Sequence, residues 1–169
     1  MIPEASMSTR ISPPPKLSII IINYKTPELC IACLASLSNI NSITVEKIVI
    51  DNASNDGSVA QITQSVTQNN WSHTKMISSE NNGGFSAGNN IGISDSMGDF
   101  ILLLNSDTIV RPGAIDLLVQ TLIDNPGMGM ASPRLEWPDE QPQESCFRFH
   151  RPINELIRSA CTGPITKLL

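Results

Sequence analysis

Four repeats of an apolar strand followed by a helix predict an α/β domain with a mostly parallel sheet and helices on both faces. Three observations carry this reading. Leu17 to Ile22, broken only by Ser18, and Phe100-Ile101-Leu102-Leu103-Leu104 are apolar runs, and the second in particular reads as a parallel strand buried on both faces. Each run gives way to a polar turn and then to a segment of helical period. A chain of 169 residues is one domain by length and can bury a substantial core. Right-handed crossovers are then expected.

Residues 1–16 contain Ser12-Pro13-Pro14-Pro15 and have no hydrophobic period, so they read as a disordered, proline-rich leader. The domain proper is expected over residues 17–152. Leu17–Asn23 is its first strand, and Pro27 opens a helix to about Ser38. Val45–Asp51 is the second strand, followed by the turn Asn52-Ala53-Ser54-Asn55-Asp56-Gly57-Ser58 and a polar helix near Val59–Gln68, with Asp56 as its N-cap. A short third strand at about Lys75–Ser78 leads into a glycine-rich bend, Asn81 to Gly92, that becomes a helix. The fourth strand ends in Asn105-Ser106-Asp107. Beyond it Pro112 is expected to open a helix whose apolar residues Ile115, Leu118, Val119, Leu122 and Ile123 fall on one face. Asn125-Pro126-Gly127 stops that helix, and Met128–Ser132 has the composition of one more short strand. Arg134–Arg151, turning at Pro138-Asp139-Glu140-Gln141-Pro142, reads as a hairpin-like arm. Ile153, Leu156, Ile157 and Ala160 begin an incomplete helical segment over residues 153–169.

Composition narrows the function. A net charge of −5 and no basic cluster argue against a nucleic-acid partner. No apolar run is long enough to cross a bilayer and the start lacks the build of a signal peptide, so a cytoplasmic protein is expected. Cys30 and Cys33 have the spacing of a redox or metal pair. However, they sit past the helix start and share a face with Leu34 and Leu37, so they read as core. Cys146, Cys161, His73 and His150 are isolated and read as structural or surface residues.

The candidate chemistry lies at the strand ends. Asp51 closes the second strand and Asp107 follows the fourth, so both reach the carboxyl edge of the sheet, where open α/β sheets bind ligands. Asn105 and Asp107 stand two apart, and in an extended segment both would face one oxygen-loving divalent cation. Taken alone, Asp107 has an equal structural reading, satisfying a backbone N–H before the next helix. Gly83 and Gly84 allow close approach of a ligand or a positive φ, and the helix after them offers free N–H groups to an anion. Gly88 and Gly92 read instead as packing against the sheet. The bend matches neither a Walker loop nor a dinucleotide fingerprint, since Gly-Lys-Ser/Thr is absent and the glycines follow the third strand.

Taken together, four ordered motifs resemble family-two glycosyltransferases of the GT-A, Rossmann-like fold, and most closely their rhamnosyltransferase-like branch. They are Ile19-Ile20-Ile21-Ile22-Asn23-Tyr24, Val49-Ile50-Asp51-Asn52-Ala53-Ser54-Asn55-Asp56-Gly57-Ser58, the Asn81–Gly92 bend, and Leu102-Leu103-Leu104-Asn105-Ser106-Asp107-Thr108. The arm fits as well, through Pro133-Arg134-Leu135, Pro138-Asp139, Gln143, Ser145 and Phe149, although Glu140 stands where a glycine is usual. The resemblance spans about Leu17–Pro152 and implies a chain truncated after the donor-binding half.

The resemblance implies a site for a UDP- or dTDP-linked sugar. In it Asn23 and Tyr24 lie against the nucleoside and Asp51 reads the base imide. Asn82, Gly83, Gly84, Asn89 and Asn90 border the sugar and phosphate. Asn105 occupies the first position of the Asp-x-Asp motif, and Asp107 binds Mg²⁺ or Mn²⁺. It also implies metal-dependent, inverting transfer of a sugar, rhamnose by branch similarity, to a glycan or lipid-linked acceptor, with peripheral association at the inner face of the cell membrane. The family's general base comes from a segment after the arm, so no catalytic base is assigned; Asp139 and Glu140 read as solvated turn residues. Two alternatives stand beside this reading: a noncatalytic nucleotide-binding or interaction protein, and a sugar-phosphate nucleotidyltransferase. The second is disfavoured because Asn23-Tyr24-Lys25-Thr26-Pro27 has no glycine.

Overall fold

The computed structural model describes residues 16–40 and 43–143. Residues through Ala131 form one compact unit and those from Ser132 onward a second. In the first unit four strands, β1 (Leu17–Asn23), β2 (Val45–Asp51), β3 (Thr74–Ser78) and β4 (Phe100–Asn105), form one sheet in the order β3-β2-β1-β4. Every pairing is parallel. The helices are α1 (Pro27–Ser36), with a 3₁₀ turn at Leu37–Asn39, α2 (Ser58–Gln68), α3 (Gly84–Asp95) and α4 (Ala114–Asp124). This is the expected α/β architecture, with the bounds of β1, β2 and β3 within a residue of those read from the sequence.

The sheet has a different cover on each face. Leu17, Ile19, Ile21 and Val49 pack with Cys30, Cys33 and Leu34 of α1, Ile62 of α2, and Ile115 and Val119 of α4. The opposite face carries Ile20, Ile22, Ile48 and Ile50, and α3 lies on β1 and β2 there. Contact on that face is close because the helix presents glycine. A Cβ at Gly88 would stand 3.1 Å from Ile22 Cδ1, and one at Gly92 2.5 Å from Ile20 Cγ2. Both glycines therefore pack as expected, and Cys30 and Cys33 are core.

Six expectations are corrected. β4 is not buried on both faces: among the described residues it is an edge strand, α3 packs on β1 and β2, and Ile101 and Leu103 are 43% and 47% exposed. Only Phe100, Leu102 and Leu104 join the core. Pro112 does not open α4, because Gly113 takes φ +78° and interrupts the helical dihedrals before Ala114. Ile123, expected on the apolar stripe of α4, is exposed. The N-cap of α2 is Gly57 (φ +91°), not Asp56. Asp56 Oδ1 still serves the helix start by accepting from the Ser58 N–H (3.0 Å) and hydroxyl, and these bonds hold its carboxyl below the usual range. Met128–Ser132 forms no strand. Lys16, assigned to the leader, belongs to the sheet rim: its N–H donates to Thr44 O (2.8 Å) and its carbonyl accepts from Phe100 N–H (3.1 Å).

The described part of the second unit is a hairpin. Trp137 N–H donates to Gln141 O (2.8 Å) and Gln143 N–H to Leu135 O (2.9 Å), with an antiparallel bridge between Glu136 and Pro142. Asp139 Oδ1 accepts from Gln141 N–H (3.2 Å) and Glu140 has φ +67°, so this acidic pair shapes the turn. Residues 1–15 of the leader, the arm beyond Gln143 and residues 153–169, with Cys146, His150 and Cys161, lie outside the described residues. His73 is exposed, as expected of a surface residue. Among the described residues no helix is long and apolar enough to cross a membrane.

Candidate functional site

The candidate site forms where the sheet changes direction. From β1 the chain moves to β2 on one side, while β4 pairs on the other, and the helices after β1 and β3 cover opposite faces. Such a crevice at the carboxyl ends of parallel strands is left uncovered by the crossovers. In register, Asn23 lies opposite Asp51, and Ile22 opposite Asn105. Three of the sequence-predicted residues therefore stand at the carboxyl ends of their strands along one edge of the sheet, with Asp107 in the turn that follows. Asp51 and Asn105 sit on strands separated by β1, about 10 Å apart at two strand spacings.

Asn23 and Asp51 lie beneath the rim, not on it. Asn23 is fully buried and Asp51 is 1% exposed. Both Asp51 oxygens accept from the Ser54 N–H (3.3 and 3.2 Å). Ser54 Oγ accepts from Lys25 N–H (2.9 Å) and Asn23 Nδ2 (3.4 Å), and Asn52 N–H donates to Asn23 O (2.9 Å). These bonds tie the loop after β1 to the loop after β2. Lys25, Ala53 and Asn55 in those loops have φ of 58°, 59° and 52°. Left-handed backbone is costly for a non-glycine residue, above all for Ala53, and persists only where surrounding contacts fix it.

Exposed groups line the rim above this network. Tyr24 is 44% exposed, and the Lys25 ammonium stands 5.2 Å over its ring. Asn82, Gly83, Gly84, Asn90, Asn105 and Asp107 are also exposed. Asn82 Oδ1 is used within the protein, accepting from Gly84 N–H (2.9 Å) and Asn52 Nδ2 (2.8 Å), which shapes the turn into α3. Gly84 takes φ +82°, the positive value expected of this bend.

Among the described residues three buried side-chain oxygens have no partner within the chain, Thr74 Oγ1 at the start of β3 and two near this edge. Asn89 is 4% and Asn52 3% exposed, and the Oδ1 of each has no hydrogen-bond partner. Their amide nitrogens are occupied, Asn89 by Phe85 O (3.0 Å) and Asn52 by Gly84 O (3.2 Å) as well as Asn82. Buried polar atoms are almost always paired, so these two oxygens, one on the loop after β2 and one on α3, are open to a donor from water or a ligand.

The metal expectation rests on Asn105 and Asp107. The strand stops at Asn105 and Asp107 lies in a turn, so the two do not share one extended segment as the two-residue spacing had implied. Both remain exposed. No cluster of three or more His, Cys, Asp or Glu residues suited to a metal occurs among the described residues. That donor set does not suit a structural zinc. It fits Mg²⁺ or Mn²⁺, which keep several waters and take one or two protein oxygens together with substrate phosphates.

Sequence reasoning missed Ser54, Lys25 and Asn52. The Asp51-x-x-Ser54 spacing signals a local turn, but the other partners of Ser54 come from the loop after β1. That pairing is visible only once β1 and β2 are in register.

The family model described as "Glycosyl transferase family 2" matches residues 18–150. Among curated proteins, the chain is 28% identical over 104 residues to "Glycosyltransferase GlyG" of Streptococcus pneumoniae serotype 4, covering 62% of this chain and 34% of that protein. It is 27% identical over 125 residues to "Putative glycosyltransferase EpsH" of Bacillus subtilis, covering 74% and 36%. The chain thus spans about a third of the length of these relatives. Among solved structures, S. aureus TarS 1-349 in complex with UDP-GlcNAc superposes with a TM-score of 0.56 at 23% identity, over 64% of this chain and 31% of that one. The mannosyltransferase PcManGT from Pyrobaculum calidifontis, in complex with GDP-Man and Mn²⁺, gives 0.57 at 18% identity, over 68% and 34%. At these identities the structural likeness establishes the GT-A-like fold.

Proposed function

The chain belongs to glycosyl transferase family 2, and from that premise we propose that its sheet edge is the donor half of a nucleotide-sugar site. The observation that carries this is the register: Asn23 beside Asp51 on one side of the crevice, Asn105 and Asp107 on the other. A nucleoside laid across β1 would present its base to the first pair and its diphosphate to the second.

In this reading the exposed ring of Tyr24 stacks on the base and Asp51 accepts the imide N–H of a uracil or thymine. A carboxylate has about four acceptor positions, so Asp51 keeps capacity beyond the Ser54 N–H. At its present burial the base reaches it only when the Ala53–Asn55 turn moves aside. Asn23 holds that turn through Ser54. Gly83, Gly84 and Asn90 border the diphosphate and sugar beside Asn82, while the orphaned oxygens of Asn52 and Asn89 accept sugar or ribose hydroxyls. Asp107, with the Asn105 amide oxygen, would hold Mg²⁺ or Mn²⁺. When bound, the cation neutralises charge on the leaving diphosphate. The reaction is inverting transfer: an acceptor hydroxyl forms a bond to the anomeric carbon as the bond to the nucleoside diphosphate breaks, and the hydroxyl proton passes to a base. The donor is UDP- or dTDP-linked, rhamnose by branch similarity. The acceptor is a glycan or lipid-linked saccharide, which would bring the protein to the inner face of the cell membrane.

The test is calorimetry of UDP and dTDP binding with and without Mn²⁺. Asp107→Ala should remove the metal-dependent part of the affinity and leave the metal-free part. Unchanged metal dependence would overturn the assignment.

A further inference from the structure

The turn that carries Asp107 is a surface feature, yet both of its ends are tied to one turn of α1. At the near end Asn105 O accepts from Thr108 N–H (3.2 Å) and from the buried Cys33 thiol (3.6 Å). At the far end Val110 N–H donates to Ser36 Oγ (3.0 Å). The Ser36 hydroxyl donates its proton to Cys33 O (2.6 Å), one of the last carbonyls of α1, which lack a partner within the helix. Spending its single proton there turns the serine's lone pairs toward Val110. The 105–110 turn is thus clamped by two residues three apart on α1, and Asp107 lies between the clamped points.

We propose that Ser36 is a positioning residue that sets where the Asp107 carboxylate stands when a nucleoside diphosphate and its metal bind. The inference rests on the assignment of Asp107 made above, and it extends that site to a helix that contributes no ligand of its own. Mg²⁺ and Mn²⁺ demand well-placed oxygens, and an exposed carboxylate on a turn anchored at one end samples more positions than on a turn anchored at both. Loss of a single hydrogen bond of this kind corresponds to about a threefold to tenfold weaker binding equilibrium.

The experiment is titration of Mn²⁺ into the chain at saturating UDP, reading free Mn²⁺ by electron paramagnetic resonance. UDP affinity in EDTA is measured in parallel. Ser36→Ala should weaken Mn²⁺ binding about threefold to tenfold and leave metal-free UDP affinity unchanged; Ser36→Thr, which keeps the hydroxyl, should restore it. Should Ser36→Ala fail to fold, Cys33→Ala, which frees only the Asn105 end, should show the same selective loss. Wild-type Mn²⁺ affinity in the variant would overturn the proposal, as would a parallel loss of Mn²⁺ and metal-free UDP binding. Asp107→Ala separates the two layers. If it retains wild-type Mn²⁺ affinity, the site assignment fails and takes the clamp with it. If it loses that affinity while Ser36→Ala does not, only the role of Ser36 falls.

Discussion

Replacing Gly92 by alanine should destabilise the chain by up to about 2 kcal/mol, while the same change at Gly88, one turn earlier on the same helix face, should be close to neutral. The difference comes from what each new methyl meets. At position 92 it would stand 2.5 Å from Ile20 Cγ2, 3.1 Å from Cγ1 and 3.2 Å from Cδ1. Cγ2 branches directly from the Cβ of a stiff side chain, and Ile20 is fully buried in the sheet, so it has no rotamer to retreat into. α3 must lift instead. Overpacking of this kind costs about 1–3 kcal/mol, and the better helix propensity of alanine offsets about 1 kcal/mol of it. At position 88 the nearest atom is Ile22 Cδ1 at 3.1 Å, a terminal methyl that can rotate away, and the stiffer Cγ2 stands at 3.3 Å, where a shift of a few tenths of an ångström relieves it. There the propensity gain and the packing loss nearly cancel. Paired urea denaturations measure the contrast as a shift in midpoint at constant slope. Because α3 also carries the Asn82–Asn90 bend, Gly92→Ala should weaken nucleotide binding as well. Equal stability of the two variants, or a larger loss at Gly88, would refute the claim that α3 rests on β1 through these glycines.

Ser54→Ala removes the acceptor shared by Lys25 N–H and the buried Asn23 Nδ2. It should cost about 1–3 kcal/mol by urea denaturation, and Asn23→Ala should cost less on that background than alone, since its donor is already unpaired. Burial is the main force that pushes the thiols of Cys30 and Cys33 up to about 12, with Cys33 and Asp51 adding to the effect at Cys30 and Asp107 at Cys33. Iodoacetamide at pH 8 should therefore leave both unmodified in the folded chain and label both in urea, as read by mass spectrometry. The folded state keeps these protons where the unfolded chain releases them, so stability should be intact below about pH 9 and fall as pH rises toward 12. A Cys30→Ala, Cys33→Ala double variant should show a flatter alkaline limb.

The features legible in the sequence are those set by a few neighbouring residues. β1 and β2 are apolar runs with a polar stop, α1 begins at a proline, and the glycine row of α3 announces a close helix-sheet contact. Features that depend on a distant partner were not legible. The apolar run at Phe100–Leu104 is the same whether the strand is central or at the edge, and only the order β3-β2-β1-β4 leaves Ile101 and Leu103 uncovered. An aspartate just before a helix accepts a backbone N–H either as the cap or one position earlier, and the left-handed Gly57 decided between these for Asp56. The links from Ser54 to Asn23 and from Ser36 to Val110 join residues 31 and 74 positions apart. No local spacing announces either.

The buried polar knot at the carboxyl edge also explains why this site stands on loops that are unfavourable in isolation. Three left-handed non-glycine residues together cost on the order of 3 kcal/mol or more, and an apolar substitute for Asn23, Asp51 and Ser54 would leave nothing to hold them. The register places Asn23 opposite Asp51, and Ser54 closes the circuit between their loops. The strain is therefore borne by hydrogen bonds beneath the surface, not by contacts at the rim. That division leaves Tyr24, Asn90, Asn105 and Asp107 exposed and the orphaned oxygens of Asn52 and Asn89 unspent. On the proposed reading the exposed groups and the two orphaned oxygens would meet the ligand first, while Asp51 would serve both the loop network and the base.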